Sequence, residues 1–201
     1  MARWEPNARD RLTRAAMELF VERGYARTTV EDIAERAGLT ERTFFRHFAD
    51  KREVLFSGSS QLEDVIVEAV AGAPAATAPF EVVMSALEAT ERFFAEERRA
   101  WSRERQALIV ANVELREREL IKLATLAAAI AECLRRRGVA EPAASLTAEA
   151  GIAIFKIGFE RWVAETARRS FASYVRAARE AFDAATRPKP KRRAKLRRSG
   201  R

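Results

Sequence analysis

Between residues 28 and 51 the sequence gathers hydroxyls, guanidiniums, an imidazole and an ammonium at close intervals: Thr28, Thr29, Thr40, Arg42, Thr43, Arg46, His47 and Lys51. Their chemistry is that of binding, because no nucleophile stands with a base to activate it. His47 is the sole histidine and Cys133 the sole cysteine of 201 residues, which leaves no histidine cluster for a metal and no intramolecular disulfide. There is no glycine-rich phosphate loop. No catalytic residue, metal or cofactor is expected. Hydroxyls and unpaired amides at helix N-termini hold anions, and arginine reads guanine edges.

Two short helices must position these groups. The first has Thr28 or Thr29 as its cap, Glu31 and Asp32 in its first turn, and Val30, Ile33, Ala34 and Ala37 along one stripe. Gly38 stops it by allowing a left-handed backbone, and Leu39 plugs the gap between the helices. Thr40 caps the second helix, which runs through Phe44, Phe45 and Phe48. Phe44 and Phe48 share a face and anchor this helix, leaving Arg42, Thr43, Arg46 and His47 to point toward a groove. Helix, glycine turn, cap and second helix form the helix-turn-helix arrangement, whose second helix enters the DNA major groove. An ordinary helical hairpin is the alternative on spacing alone.

The run Thr29 to Thr40, followed by Arg42-Thr43-Phe44-Phe45-Arg46-His47-Phe48 and Asp50-Lys51, closely resembles the DNA-binding domain of the TetR family of transcriptional regulators. The resemblance is strong over about the first quarter of the chain; beyond it only length and helical pattern agree. It implies an all-α protein, with a helix-turn-helix head and a larger, divergent helical domain that binds a small effector and dimerises. It also implies that Thr28 or Thr29, Thr40, Thr43, Phe45, His47 and Lys51 contact phosphates or bases, with Arg42 and Arg46 as exposed neighbours. Phe45 departs from the family, which usually has tyrosine there; the phosphate hydrogen bond lost is worth about 1 kcal/mol or somewhat more. A Phe-Phe pair at this point resembles regulators of the mycofactocin system, where Arg46 would compensate.

Composition supports helix throughout: 48% hydrophobic and 33% charged residues, with only 8 Gly and 6 Pro. The net charge of +8 resides in the C-terminus. Residues 187–201 carry nine Lys or Arg and no acid, leaving 28 basic against 29 acidic residues elsewhere. DNA binding must therefore rest on placed contacts more than on a basic face. No signal peptide or membrane-spanning run is evident, and the expected compartment is the cytoplasm of a prokaryote.

In chain order, residues 1–6 read as an arm with Arg3 and Trp4, and Asn7 caps a first helix that ends at Gly24. Asp50-Lys51 is expected to open a fourth helix continuing to about residue 70 as a connector. Residues 1–55 thus form the DNA-binding domain. The Gly- and Pro-bearing stretch 71–79 is the boundary, and residues 78–186 form the ligand-binding and dimerisation domain. There, helices are expected over about 80–98, from Trp101 through Ile109, to Arg137 after a connection at 111–120, over 147–168, and through Phe182. Residues 187–201 are expected to be a disordered basic tail. Cys133 reads as a packed small residue. Phe93, Phe94, Trp101, Phe155, Phe159 and Trp162 are candidate effector-pocket residues for an apolar or aromatic small molecule, though each is more often core than pocket. Similar connecting segments occur in regulators of acyl thioesters, a weak analogy. Ala148, Ile152, Phe155, Phe159 and Trp162, with Phe171, Tyr174 or Val175, Ala178 and Phe182, offer an apolar surface for a homodimer seam through the last two helices, or else complete one monomer's core.

The reading these observations support is a ligand-responsive regulator, a repressor in preference to an activator, binding palindromic operator DNA as a homodimer. The rival is an all-helical scaffold or interaction protein with a basic tail.

Overall fold

The computed structural model describes residues 7–167 and 169–186. The arm at 1–6 and the basic tail at 187–201, with the expectations placed on them, lie outside the described residues. Nine α-helices appear among the described residues and no strand: α1 (Ala8–Arg23), α2 (Val30–Arg36), α3 (Glu41–His47), α4 (Ser59–Gly72), α5 (Pro79–Glu88), α6 (Arg99–Ala111), α7 (Val113–Arg136), α8 (Ala143–Ala164) and α9 (Phe171–Thr186). Short 3-10 turns occupy Glu53–Phe56, Ala89–Phe93 and Glu96–Arg98. None of the described helices is long and apolar enough to cross a membrane.

The chain builds two apolar cores. In the head, Leu12, Ala16, Phe20, Ile33, Phe44 and Phe48 close α1–α3 around a centre that also takes Ile109 from α6 and Leu115 from α7. Those two residues weld the head to the rest. The body's core is drawn from α4, α5, α7, α8 and α9, and includes buried Cys133.

Several expected boundaries move, each for a local reason. The segment after Asp50 does not open an α-helix: Val54, Leu55 and Phe56 are all buried within a 3-10 turn. Asp50 instead accepts from the backbone amides of Arg52 and Glu53 (2.8 and 3.2 Å) and closes a 3-10 turn, so α4 starts only at Ser59. The expected helix over 80–98 stops at Glu88, where the buried Thr90 hydroxyl donates to Leu87 O at 2.6 Å. Asn112 takes extended backbone and its side-chain amide donates to Leu108 O at 2.7 Å. The break is therefore one residue, and the long helix begins at Val113 instead of after 120.

The penultimate helix runs over 143–164, four residues earlier than expected. Arg99 terminates it. This buried guanidinium donates to the carbonyls of Trp162 (2.7 Å), Glu165 (2.7 Å) and Ala167 (2.8 Å), taking up acceptors the helix end leaves open.

The residues expected to form a subunit seam are mostly interior. Ala148, Ile152, Phe155, Trp162, Phe171, Tyr174, Val175 and Ala178 complete the monomer's own core. The apolar residues left outside lie on another stripe of α8, with Leu146 at 65% and Ile157 at 47% exposure and Ala153 between them. Gly151 and Gly158 permit the close approach that buries the rest. A Cβ on Gly151 would meet Val83 at 2.5 Å, and one on Gly158 would lie 3.2 Å from the backbone of Val175.

Candidate nucleic-acid interface and effector cavity

The caps of α2 and α3 form as their residue types require. Thr29 Oγ1 accepts from Asp32 N (3.1 Å) while the Asp32 carboxylate accepts from Thr29 N (2.8 Å), a reciprocal capping box. Thr29's amide and hydroxyl hold the Asp32 carboxyl below the usual carboxylate range. Thr40 Oγ1 accepts from Thr43 N at 3.2 Å and lies 3.1 Å from the Thr43 hydroxyl. Between the helices Gly38 stands at φ +64°, close under the Arg11 guanidinium. Arg11 donates to Ala37 O through Nε (3.1 Å) and Nη2 (2.6 Å), fastening the turn to α1.

The outer face of α3 carries Arg42, Phe45 and Arg46 in the open, with Thr40 at its start and Thr43 half-buried. Arg42 and Arg46 take no ion pair or hydrogen bond from any described residue. Phe45 stands 55% exposed with its ring set edge-on against Phe44, 5.5 Å between centroids. Such an exposed phenylalanine beside unpaired guanidiniums can lie against a sugar or base while the cations meet phosphate or guanine.

Three of the nine expected DNA contacts are placed elsewhere. Thr28 is buried, and its hydroxyl donates to Gly24 O (3.0 Å) and Leu19 O (3.4 Å), tying the chain before α2 to the end of α1. Lys51 is half-buried. Its ammonium donates to Tyr25 O (2.9 Å) and Thr28 O (3.0 Å) and lies 4.3 Å from the centre of the Tyr25 ring, so two of its three protons serve the fold. Burial, with Glu114 nearby, pushes the Tyr25 hydroxyl far above its usual range. His47 turns to the body side, where it lines a crevice of about 470 Å³ and its buried Nε2 has no hydrogen-bond partner among the described residues. The outward face thus reduces to Thr29, Thr40, Arg42, Thr43, Phe45 and Arg46.

A larger cavity, of about 1150 Å³, opens between α1 of the head and α4, α6 and α8 of the body. Phe93, Phe94, Trp101, Phe155 and Phe159 line it. Phe94 organises the inner wall, with ring centroids at 5.8 Å from Phe155, 5.7 Å from Phe159 and 4.1 Å from Phe171. Trp162 does not line the cavity. It lies behind Phe94, 1% exposed, with the Arg99 guanidinium 5.6 Å from its ring centre, and belongs to the core.

Sequence reading passed over the arginines that join cavity and head. Arg105 lines the cavity, donates to Leu55 O at 2.7 Å and pairs with Glu119 at 3.4 Å. Burial pushes its pKa down. Glu53, in the 3-10 turn after α3, pairs with Arg118 and Lys122 of α7. A lone arginine or glutamate on an amphipathic helix reads as solvated surface, so no signal in the sequence marked these.

Comparison with known proteins agrees with this two-part build. Residues 12–57 match the tetR family of bacterial regulatory proteins, and residues 77–190, more than half of the chain, match the MftR C-terminal domain. The chain belongs to the TetR family of transcriptional regulators. Among curated relatives, the chain is 43% identical over 81 residues to the transcriptional regulator TcmR of Streptomyces glaucescens, covering 40% of this chain and 36% of that protein. It is 36% identical over 62 residues to the transcriptional activator FasR of Mycolicibacterium smegmatis, covering 31% and 28%. The chain spans only about a third of the length of the curated relatives it matches. A solved TetR-family repressor, Thermus thermophilus FadR in complex with lauroyl-CoA, is similar over 90% of this chain and 96% of its own, with 27% identity and a TM-score of 0.52. The SmeT–triclosan complex shares the fold at 20% identity, with a TM-score of 0.61 over 92% and 99% of the two chains.

Proposed function

We propose that this TetR-family regulator is a repressor that binds a palindromic operator as a homodimer and releases it when a small apolar or aromatic effector enters the aromatic cavity. The observation that carries the reading is the pairing of two features. The outer face of α3 has unpaired Arg42 and Arg46 flanking Thr43 and Phe45, and the cavity of about 1150 Å³ has α1 of the same head as one wall. Thr29 and Thr40, at exposed helix openings, supply phosphate contacts beside the base-reading arginines. The MftR-type body supports a branch resembling the mycofactocin regulators, and the lauroyl-CoA held by the FadR relative supports an effector with an extended apolar part. The protein acts by binding, in the cytoplasm.

The mechanism is differential affinity. A dimer joined through α8 and α9, with the exposed α8 stripe of Leu146, Ala153 and Ile157 at the contact, fixes the separation of two α3 helices, and an effector that prefers another separation lowers operator affinity. Glu53, Arg105 and Lys122 connect body to head and carry that change.

Operator selection from random DNA with the purified full chain tests this. Two inverted half-sites, with centres roughly one helical turn or a multiple apart, are expected. Absence of any sequence enrichment at moderate salt would favour the all-helical scaffold. A reporter with the selected site, read with and without the protein, decides the sign of regulation, for FasR is named an activator and FadR a repressor.

A further inference from the structure

The aromatic cavity and the smaller crevice behind α3 share part of their walls, Arg9, Phe56, Ser59 and Lys122 belonging to both. Arg14 and Arg98, on the wall of the larger cavity, stand exposed, whereas Arg9 is half-buried. Arg52 pairs with Asp50, Arg118 and Lys122 share Glu53, and Arg105 pairs with Glu119. Arg9 has no carboxylate partner among the described residues. Its Nη2 donates to Ser57 O at 2.9 Å, its guanidinium lies 5.3 Å from the centre of the Phe48 ring, and its Nε is buried with no hydrogen-bond partner among the described residues. His47 Nε2, buried and likewise without a partner, lines the crevice that Arg9 also borders. Exposed acids, among them Asp10, Glu18, Glu22, Glu97 and Glu104, ring the outer part of the larger cavity. The half-buried Arg9 is thus a positive charge with an unused donor at the junction of an apolar chamber and a polar one. An unsatisfied buried donor is costly, and an ionised acceptor is the partner that relieves most.

Resting on the effector-cavity reading above, we propose that the effector is an amphiphile with an oxyanion end, carboxylate, sulfonate or phosphate, and that Arg9 receives that end. The apolar body of such a molecule lies against Phe94, Phe155 and Phe159 while its charged end reaches the shared wall. Because Arg9 also rests on Phe48, the C-cap of α3, an anion that draws the guanidinium away changes the support of the recognition helix itself.

Two probes that differ by one charged group test this on the full chain: 1-anilinonaphthalene-8-sulfonate and its uncharged parent, N-phenyl-1-naphthylamine, each followed by fluorescence. Arg9→Gln is expected to raise the Kd of the sulfonate about tenfold and to leave that of the uncharged probe within about twofold. Arg9→Lys is expected to recover part of the loss. Phe159→Ala is expected to weaken both probes. An Arg9→Gln protein that holds the sulfonate as tightly as wild type, or weakens both probes alike, overturns the assignment of Arg9 while leaving the cavity reading in place. Binding of neither probe by wild type, or of both unchanged by Phe159→Ala, removes the cavity reading and this inference with it.

Discussion

The head and the body satisfy their polar groups over different distances along the chain. In the head, Thr29 serves Asp32, Thr40 serves Thr43, and Asp50 serves Arg52 and Glu53, each within three residues. Lys51 reaches 26 residues to Tyr25 O, Arg11 27 to Gly38 O and Arg9 48 to Ser57 O. In the body, Arg99 reaches 63 residues to Trp162 O and 75 to the Tyr174 hydroxyl. The head is therefore a set of local motifs resting on a few phenylalanines, and its outer face can change without unfolding it. The body is one cooperative arrangement around a buried cation, and its critical substitutions register first as lost stability.

Replacing Arg99 by methionine should have the largest effect. The change removes the Arg99 donor from the carbonyls of Trp162 and Glu165 and leaves Ala167 O to Tyr174 and the Arg169 amide, and we expect a loss of about 3–5 kcal/mol, read as a lower urea midpoint. If Arg11→Met in the head costs as much, the contrast in reach has no energetic meaning. The glycines sharpen it next. Gly158→Ala should cost about 1–3 kcal/mol because the added methyl meets the α9 backbone, and compensating truncation of Val175 would not recover it fully. Gly38→Ala should cost about 1–2 kcal/mol for a different reason, a left-handed backbone, and Gly38→Asn should lose less than Ala. Equal losses for Asn and Ala would deny that the dihedral decides.

On the outer face the readout changes. Arg46→Ala should weaken binding to a selected operator by about tenfold, roughly 1–2 kcal/mol, with an unchanged thermal midpoint, and Thr43→Ala should act in the same direction. Lys51→Met should instead lower the midpoint of the head, because its ammonium holds two carbonyls; DNA binding lost without loss of stability would return Lys51 to the interface. The smallest effect concerns Asp32. Its folded carboxyl binds a proton less readily than the unfolded one, so its contribution is full above the ordinary carboxylate range and is lost as pH falls through the depressed folded value. Asp32→Asn should therefore flatten the acid side of the stability profile slightly, and an unaltered profile would show the capping box makes no difference to it.

The head was legible because each of its signals is short: a Thr three residues before an Asp, a glycine before the next Thr, two phenylalanines four apart. What it hid was direction. Thr28 and Lys51 carry donor groups suited to phosphate, yet Thr28 lies under the end of α1 and Lys51 over carbonyls of the same loop, and nothing in spacing tells an inward donor from an outward one. In the body, five of the six aromatic residues singled out line the cavity, and Trp162 lies in the core behind Phe94. Pattern also left open whether the inner stripe of α8 was a subunit seam or one monomer's core, because a helix apolar on most of its circumference carries no periodicity to say which side meets its own chain.

Composition, turn residues and helix caps, acting within a few residues, determined an all-helical chain with two short capped helices at its head. Only the tertiary structure decided which cations face outward, where α4 and α8 begin, and that Arg9, Arg105 and Lys122 stand at the walls between cavity and head. Those outcomes depend on which distant carbonyls and carboxylates come within reach of each side chain, a property of the closed chain and not of any segment of it.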